Sequence, residues 1–297
     1  MNDGAAMPEL EPDISDPART IAFQGAPGAY SDLACRQVFS EMTTLPCAQF
    51  ADAFAAVREG RARLAMIPIE NSVAGRVADI HQLMPNAGLH IIGEHFERVN
   101  HHLLAVPGAT LAGLRTVRSH VHALSQCRKA IRELGLTPIV AADTAGAAAE
   151  IAAQGDPGVA AIASELAGRI YGLVSLKEDI EDAPHNTTRF LIMARAARRP
   201  ASDTPSVTTF VFNVRNVPAA LYKALGGFAT NGINMTKLES YMVGGAFSAT
   251  QFYADVEAHP EERRLNLAME ELAFFSTQVR VLGVYPAHPA RLAANGK

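Results

Sequence analysis

Two successive patterns of apolar residues predict an α/β protein built in two parts. From residue 20 to about 195, short apolar strands alternate with amphipathic helices, which argues a mostly parallel, layered α/β structure. Residues 197–206 then lose apolar periodicity and read as a linker. Beyond them the order becomes strand, helix, strand, strand, helix, strand, the ferredoxin-like βαββαβ unit. A chain that leaves one lobe of the first part near residue 97 and returns near 175 makes two lobes with a cleft between them. The expected divisions are a disordered leader (1–18), a two-lobed part (19–196), the linker, a βαββαβ unit (207–286) and a tail (287–297).

Composition bounds the function. Of 297 residues, 48% are apolar and 19% charged, enough for a sizeable core. The net charge of −4 invites neither nucleic acid nor an acidic membrane surface, so an anionic substrate must be held by local donors. Three cysteines, an odd count without CxxC spacing, indicate neither a disulfide frame nor a zinc site. The acidic, proline-bearing start lacks the basic and apolar segments of a secretory signal, and no apolar run reaches membrane-spanning length. These features predict a soluble cytoplasmic protein.

Taken in order, Thr20–Phe23 is a first strand, followed by the glycine turn Gln24–Tyr30 and a helix that Ser31 can cap. That turn offers backbone N–H groups to an anion, but tight strand-to-helix packing explains it equally well. Phe50–Val57 is a helix stopped at Gly60, and Leu64–Ile69 a buried strand. Glu70, Asn71 and Ser72 follow at its C-terminal end, the usual ligand position of an open α/β sheet; a helix-capping cluster is the alternative. Leu89–Val106 reads as two strands joined through Glu94–Arg98. His95, His101 and His102 lie there, but no carboxylate pattern completes a metal ligand set. A strand at Thr116–Arg118 leads to Ser119, His120 and a helix over 122–134. A strand at Ile139–Ala142 precedes an Ala-rich helix capped by Asp143 or Thr144. Val159–Ala163 and Glu165–Tyr171 complete the alternation.

The sequence His185-Asn186-Thr187-Thr188-Arg189-Phe190 joins the polar run 177–184 to the apolar run 190–193, the mark of a loop entering a buried strand. Hydroxyls and an amide gathered there can hold a ligand, and Arg189 can clamp a carboxylate through two parallel bonds. Ordinary strand-end polarity is the competing explanation. In the last part, strands are expected at Thr208–Val214, Ile233–Met242, Phe247–Val256 and Val279–Tyr285, with Gly244-Gly245 as a turn. The helices are expected at Pro218–Thr230 and Glu261–Phe275. A sheet covered by helices on one face only predicts pairing with a copy of itself.

These stretches together resemble the prephenate dehydratases, the monofunctional kind with an appended ACT regulatory domain, over residues 20–286. Pro68-Ile69-Glu70-Asn71-Ser72 is similar to the family's PIENS string, and Ser119-His120 through Gln126-Cys127 to its SHPQALAQC stretch. Asp143-Thr144-Ala145 resembles an STAAAA stretch, and Asn186 with Thr188-Arg189-Phe190 matches N-x-TRF, whose threonine is regarded as essential. The resemblance implies two α/β lobes like a type 2 periplasmic binding protein, an active site in the cleft, and no metal or organic cofactor. It implies catalytic roles for Thr188, Arg189 and Glu70, and substrate binding by Asn71, Ser72, Ser119, His120, Thr144, Asn186 and Phe190. Arg189 could instead be structural, holding the loop through Glu70 or Asp143. The resemblance further implies feedback inhibition by L-phenylalanine at paired ACT domains in a homodimer or homotetramer. Ala220, Leu221, Asn231, Asn234, Glu239 and Ser240 are the effector-site candidates. Glu239-Ser240 agrees with the family's ESRP, but Tyr241-Met242 replaces Arg-Pro. Dehydration of arogenate, and a non-enzymatic amino-acid or anion sensor, remain as alternatives.

Overall fold

The computed structural model describes residues 16–215, 217–242 and 249–294. Its first lobe is built on β1 (Thr20–Gln24), β2 (Thr43–Cys47), β3 (Leu64–Asn71) with its short partner β4 (Gly75–Arg76), and β5 (His90–Arg98). The second lobe carries β6 (His102–Ala105), β7 (Thr116–Ser119), β8 (Thr137–Val140), β9 (Val159–Ala163) and β10 (Val174–Lys177). The chain then returns to the first lobe as β11 (Thr187–Ala194). The sheet orders are β2-β1-β3-β11-β5 and β8-β7-β9-β6-β10. Each lobe thus places beside its third parallel strand a strand that has just crossed from the other lobe, running antiparallel: β11 in one, β6 in the other. This repeat, with two crossings, is the two-lobed periplasmic-binding-protein-like arrangement.

Helices α1 (Tyr30–Val38), α2 (Phe50–Arg58) and α3 (Ala78–Leu83) belong to the first lobe. α4 (Val121–Gln126), α5 (Arg128–Glu133), α6 (Thr144–Gln154) and α7 (Glu165–Tyr171) belong to the second. The expected helix over 122–134 is two short ones, because the Asp182 carboxylate accepts from the backbone N–H groups of Arg128 and Lys129 and starts a new helix there. Glu94–Arg98 is not a connection; it continues the single strand β5. The strands β2 and β10 were not expected. Ser31 does not cap α1. The buried Asp32 carboxylate instead accepts from Gly28 N at 2.8 Å, which consumes the N–H the glycine turn could have offered to an anion. Gly28, at φ +87°, lies so close to α7 that an added Cβ would sit 2.7 Å from Ala167 Cα. Tight packing is therefore the reason for that turn.

The C-terminal unit consists of β12 (Ser206–Val214), α8 (Ala220–Thr230), β13 (Met235–Met242), β14 (Ala249–Val256), α9 (Arg263–Phe275) and β15 (Ser276–Pro286), followed by α10 (Pro289–Ala294). Its sheet order, β13-β14-β12-β15, is the expected βαββαβ arrangement. Residues 1–15 of the expected leader and the Gly244-Gly245 turn lie outside the described residues, as does the start of the strand predicted from Phe247. Pro17–Arg19 forms a turn of 3-10 helix capped by Asp16.

The expectation that one face of this sheet is bare is corrected. Phe210, Phe212 and Phe252 pack under α8 and α9. From the other face Val207, Val211, Tyr253, Leu282 and Tyr285 share a core with Phe54, Ile67, Ile69 and Leu191 of the first lobe. Strand β12 is consequently buried almost throughout. β15 also touches β5, with Gly283 opposite Ile91, so the two sheets run on as one. A Cβ at Gly283 would overlap the Ile91 carbonyl. The opposite side of the first lobe packs against the second through Phe23, Phe190, Ile192, Leu104 and Ile162.

Candidate active site

The carboxyl-terminal end of β3 lies beside the start of β11, with Thr188 opposite Asn71 and Arg189 opposite Glu70. Successive side chains on a strand point to opposite faces. Thr188 and Asn71 therefore share the face toward the second lobe, and Arg189 and Glu70 share the rear face toward the C-terminal unit.

On the cleft face, Asn71 has a fixed orientation. Its Oδ1 accepts from the backbone N–H groups of Val73 at 3.0 Å and Ala74 at 2.8 Å. Its Nδ2 then donates to Thr188 Oγ1 at 3.0 Å and to Asn186 Oδ1 at 2.8 Å. Buried Asn186 passes the pattern on, donating from Nδ2 to Gln126 Oε1 at 3.0 Å. Gln126 Oε1 also lies 2.9 Å from His101 Nε2, and His101 Nδ1 2.9 Å from the Tyr30 hydroxyl. Burial lowers the His101 pKa, which leaves the ring neutral at pH 7, with its hydrogen on Nε2 to satisfy Gln126. This polar chain stitches α4 of one lobe to both strand ends of the other. Because Oγ1 already accepts from Asn71, the Thr188 hydroxyl keeps its own proton for whatever occupies the cleft.

The rear face overturns two expected roles. Arg189 is 3% exposed and fully engaged there. Its Nε donates to Glu94 at 2.8 Å, its Nη1 to Glu70 at 2.9 Å and Asp255 at 2.6 Å, and its Nη2 to the Tyr285 hydroxyl at 2.9 Å. It is not a substrate clamp; of the two structural partners expected, Glu70 is engaged and Asp143 caps α6 instead. Glu70 accepts from Arg189 with one oxygen and from Lys237 with the other, at 2.5 Å. Burial pulls the Glu70 carboxyl upward, yet the Arg189 and Lys237 charges outweigh this and hold it below the ordinary carboxylate value. It stays ionised and faces away from the cleft, so it is no proton donor. Phe190 is buried in the interlobe core, with almost none of its ring exposed to a ligand.

The second lobe presents the carboxyl ends of its parallel strands to this junction. Ser164 Oγ donates to Gly28 O at 2.6 Å across the lobes. Ser119 is buried and donates its hydroxyl to Ile162 O at 2.6 Å, so it supports the edge and cannot offer that proton to a ligand. His120 caps α4, accepting from His122 N. Burial and the neighbouring His122 lower its pKa, so it is neutral at pH 7. Thr144 opens α6, half-buried, while Asp143 caps it through Gly146 N. Ser72 Oγ donates to His185 O and accepts from Thr187 N, fastening the two strand ends.

The effector candidates fall into separate groups. Tyr241 and Asn213 both lie opposite Gln251, which places Ser240 at the end of the sheet where α8 begins with Ala220 and Leu221. Asn231 and Asn234 lie at the other end of this 11-residue helix, about 15 Å away. Asn231 bonds Gly227 O and Asn234 bonds Glu257, so they do not join the first group. Glu239 faces the first lobe, paired with Arg76 at 3.2 Å and Lys237 at 3.4 Å. Sequence reasoning missed Gln126 and Tyr30 as members of the site. His101, which in the sequence suggests only a metal ligand, belongs to the polar chain of the cleft face. Asp255, Tyr285, Glu94 and Lys237 carried no local signal.

Fold and site together define a class: a two-lobed α/β catalytic unit with a hydroxyl–amide pair at its junction, and a βαββαβ unit docked on its rear. The family model described as prephenate dehydratase matches residues 21–198, and the chain belongs to that family. It is 58% identical over 277 residues to a Komagataeibacter europaeus protein named bifunctional N-acyl-homoserine lactone acylase/prephenate dehydratase, covering 92% of this chain and 98% of that one. It is 40% identical over 288 residues to the chloroplastic arogenate dehydratase/prephenate dehydratase 1 of Arabidopsis thaliana, covering 92% of this chain and 74% of that one. The structure of a prephenate dehydratase from Arthrobacter aurescens, in complex with L-Phe, superposes with a TM-score of 0.83 at 31% identity. That match covers 93% of this chain and 97% of the other. Among the described residues no helix is long and apolar enough to cross a membrane.

Proposed function

We propose that this chain converts prephenate to phenylpyruvate, with L-phenylalanine as its effector. The observation that carries the reading is the Thr188 hydroxyl, held by an Asn71 amide that backbone N–H groups fix in one orientation. Prephenate carries a ring carboxylate and, across the ring, a hydroxyl. When the carboxylate leaves as carbon dioxide, its C–C bonding pair enters the ring; the C–O bond opposite breaks, and its pair leaves on oxygen. The ring becomes aromatic. Thr188 donates a hydrogen bond to the departing oxygen. A threonine is a weak acid, so it positions and relays the proton that completes water, and solvent supplies it. Asn71 holds the Thr188 oxygen, and Asn186 and Gln126 hold Asn71. His120 and Thr144 at the cleft edges are the groups we assign to the two carboxylates, through neutral donors, while Ser72, whose hydroxyl proton goes to His185 O, fastens the edge.

Arogenate differs from prephenate only in carrying an amino group in place of the side-chain keto group, and Glu70 would have been the carboxylate to favour it. Glu70 faces the rear, which supports prephenate as the preferred substrate. The acylase activity in the name of the K. europaeus relative requires an activated nucleophile or water. Here the Ser72 hydroxyl is bonded to a carbonyl and His120 to a backbone N–H, which gives that reading less support. For L-phenylalanine, the end of the C-terminal unit with Ala220, Leu221 and Ser240 is the site we favour. Tyr222 at 81% and Phe274 at 78% exposure support pairing of copies through this unit, as homodimer or homotetramer.

The test mixes purified protein with prephenate at neutral pH, quenches in alkali and reads phenylpyruvate by absorbance. Parallel reactions contain arogenate and an N-acyl-homoserine lactone. Turnover is expected to be highest with prephenate. Turnover of the lactone alone would overturn the proposal.

A further inference from the structure

Asn71 and Thr188 each have a chain neighbour on the rear face, Glu70 and Arg189, and these are also paired with each other. The β11–β3 ladder shifts register between Arg189 and Phe190, immediately beyond this quartet. β11 keeps its register with β5 from Thr187 to Ile192, so it is on the β3 side, where Asn71 meets Thr188, that regular pairing is broken from the core and side chains help to fix the pair. The side chains that do so come from the C-terminal unit. Asp255 of β14 bonds Arg189 at 2.6 Å and is itself held by Thr209 Oγ1 at 2.6 Å. Lys237 of β13 bonds Glu70 at 2.5 Å. Two residues further along β13, Glu239 pairs with Arg76 of β4, whose backbone lies opposite Glu70. The exposed loop between Asn71 and Gly75 is thus gripped at both ends, at Glu70 and at Arg76, by alternate residues of one strand of the C-terminal unit.

Resting on the functional reading above, we propose that Lys237, Glu239 and Asp255 are positioning residues for the dehydration. They fix the Thr188–Asn71 pair from behind, through Glu70, Arg76 and Arg189. The C-terminal unit is then part of the apparatus that aims the catalytic hydroxyl, and any ligand that moves β13 is felt at Asn71. None of the three touches the cleft, so their effect falls on the rate of the bound complex more than on substrate binding.

The test uses the full chain with Lys237→Met, Lys237→Arg and Glu239→Gln. Two readouts are taken: prephenate kinetics, and amide hydrogen exchange over residues 70–76 and 187–189. Misplacement of a catalytic group by about 1 Å costs up to roughly 10²-fold, so Lys237→Met should lower kcat by between about 10 and 10²-fold with KM little changed. Lys237→Arg should restore most of it. In a Thr188→Ala background the Lys237→Met effect should vanish, because the group being positioned is gone; a general loss of stability would persist there. Exchange should quicken in both segments, with or without substrate. Unchanged exchange in Lys237→Met and Glu239→Gln overturns the proposal whatever the kinetics show. Quickened exchange in a wild-type background that does not turn over prephenate would leave the positioning intact and remove the functional reading instead.

Discussion

Replacing Arg189 by methionine separates two roles that the sequence left open. Methionine nearly matches the length of the arginine stem and removes the charge. The structure then leaves three carboxylates facing one another: Glu94 and Asp255 with fully buried side chains, and Glu70 one-third exposed. Arg291 still reaches Glu94 at 2.6 Å and Lys237 still reaches Glu70, but Asp255 keeps only the Thr209 hydroxyl and a distant Arg291 at 3.8 Å. Breaking a buried pair by removing one partner costs about 3–5 kcal/mol, because the remaining charge is uncompensated. At about 2–4 °C per kcal/mol for a protein approaching this size, the Tm should fall by roughly 6–20 °C. Thermal unfolding followed by circular dichroism measures it directly. Arg189→Lys should fall between, since one ammonium cannot reach four partners placed around a planar fork. A variant that melts with the wild type yet binds prephenate far more weakly would refute the reasoning and return Arg189 to the cleft.

Other outcomes follow from the same geometry. Asn71→Ala should lower kcat by roughly 10²-fold, as loss of a positioned hydrogen-bond donor does, and steady-state prephenate kinetics will show it. His81, buried against Tyr241 and Tyr253, has its pKa lowered from 6.5 to about 4 by burial and by the nearby Lys237 charge. The unfolded chain takes up that proton first, so stability present above pH 6.5 is lost as pH falls toward 4. His81→Gln should flatten that part of a denaturation series between pH 7 and 4. Titration calorimetry with L-phenylalanine should show binding to wild type and weakened binding to Leu221→Arg. Binding lost instead on changing Asn231 would move the effector site to the far end of α8.

The fold was legible because its signals are local. Apolar runs such as Leu64–Ile69 and Phe190–Met193 announce buried strands wherever they pack, and the shift in element order after residue 206 is a pattern in one dimension. The junction was legible too, since Asn71 and Thr188 lie in recognisable strings. Thr188 and Arg189 are neighbours on a strand, so alternation alone excludes that both face the cleft. The partners of Arg189 were not legible. Asp255 lies 66 residues away, and nothing about an aspartate in an apolar strand says which buried cation it meets. The covered second face of the C-terminal sheet was hidden for the same reason. A strand buried on both sides, as β12 is, shows that it is covered but not by what.

The Thr188 hydroxyl is the centre of the proposed dehydration, and the most direct measurement compares prephenate turnover by wild type, Thr188→Ser and Thr188→Val at equal folded concentration. Serine keeps the hydroxyl that Asn71 holds; valine keeps the shape without it. Serine should retain much of the wild-type kcat, and valine should lose roughly 10²–10⁴-fold, the range for a positioned proton-transfer group or oxyanion donor. A valine variant that forms phenylpyruvate at the wild-type rate would contradict that role.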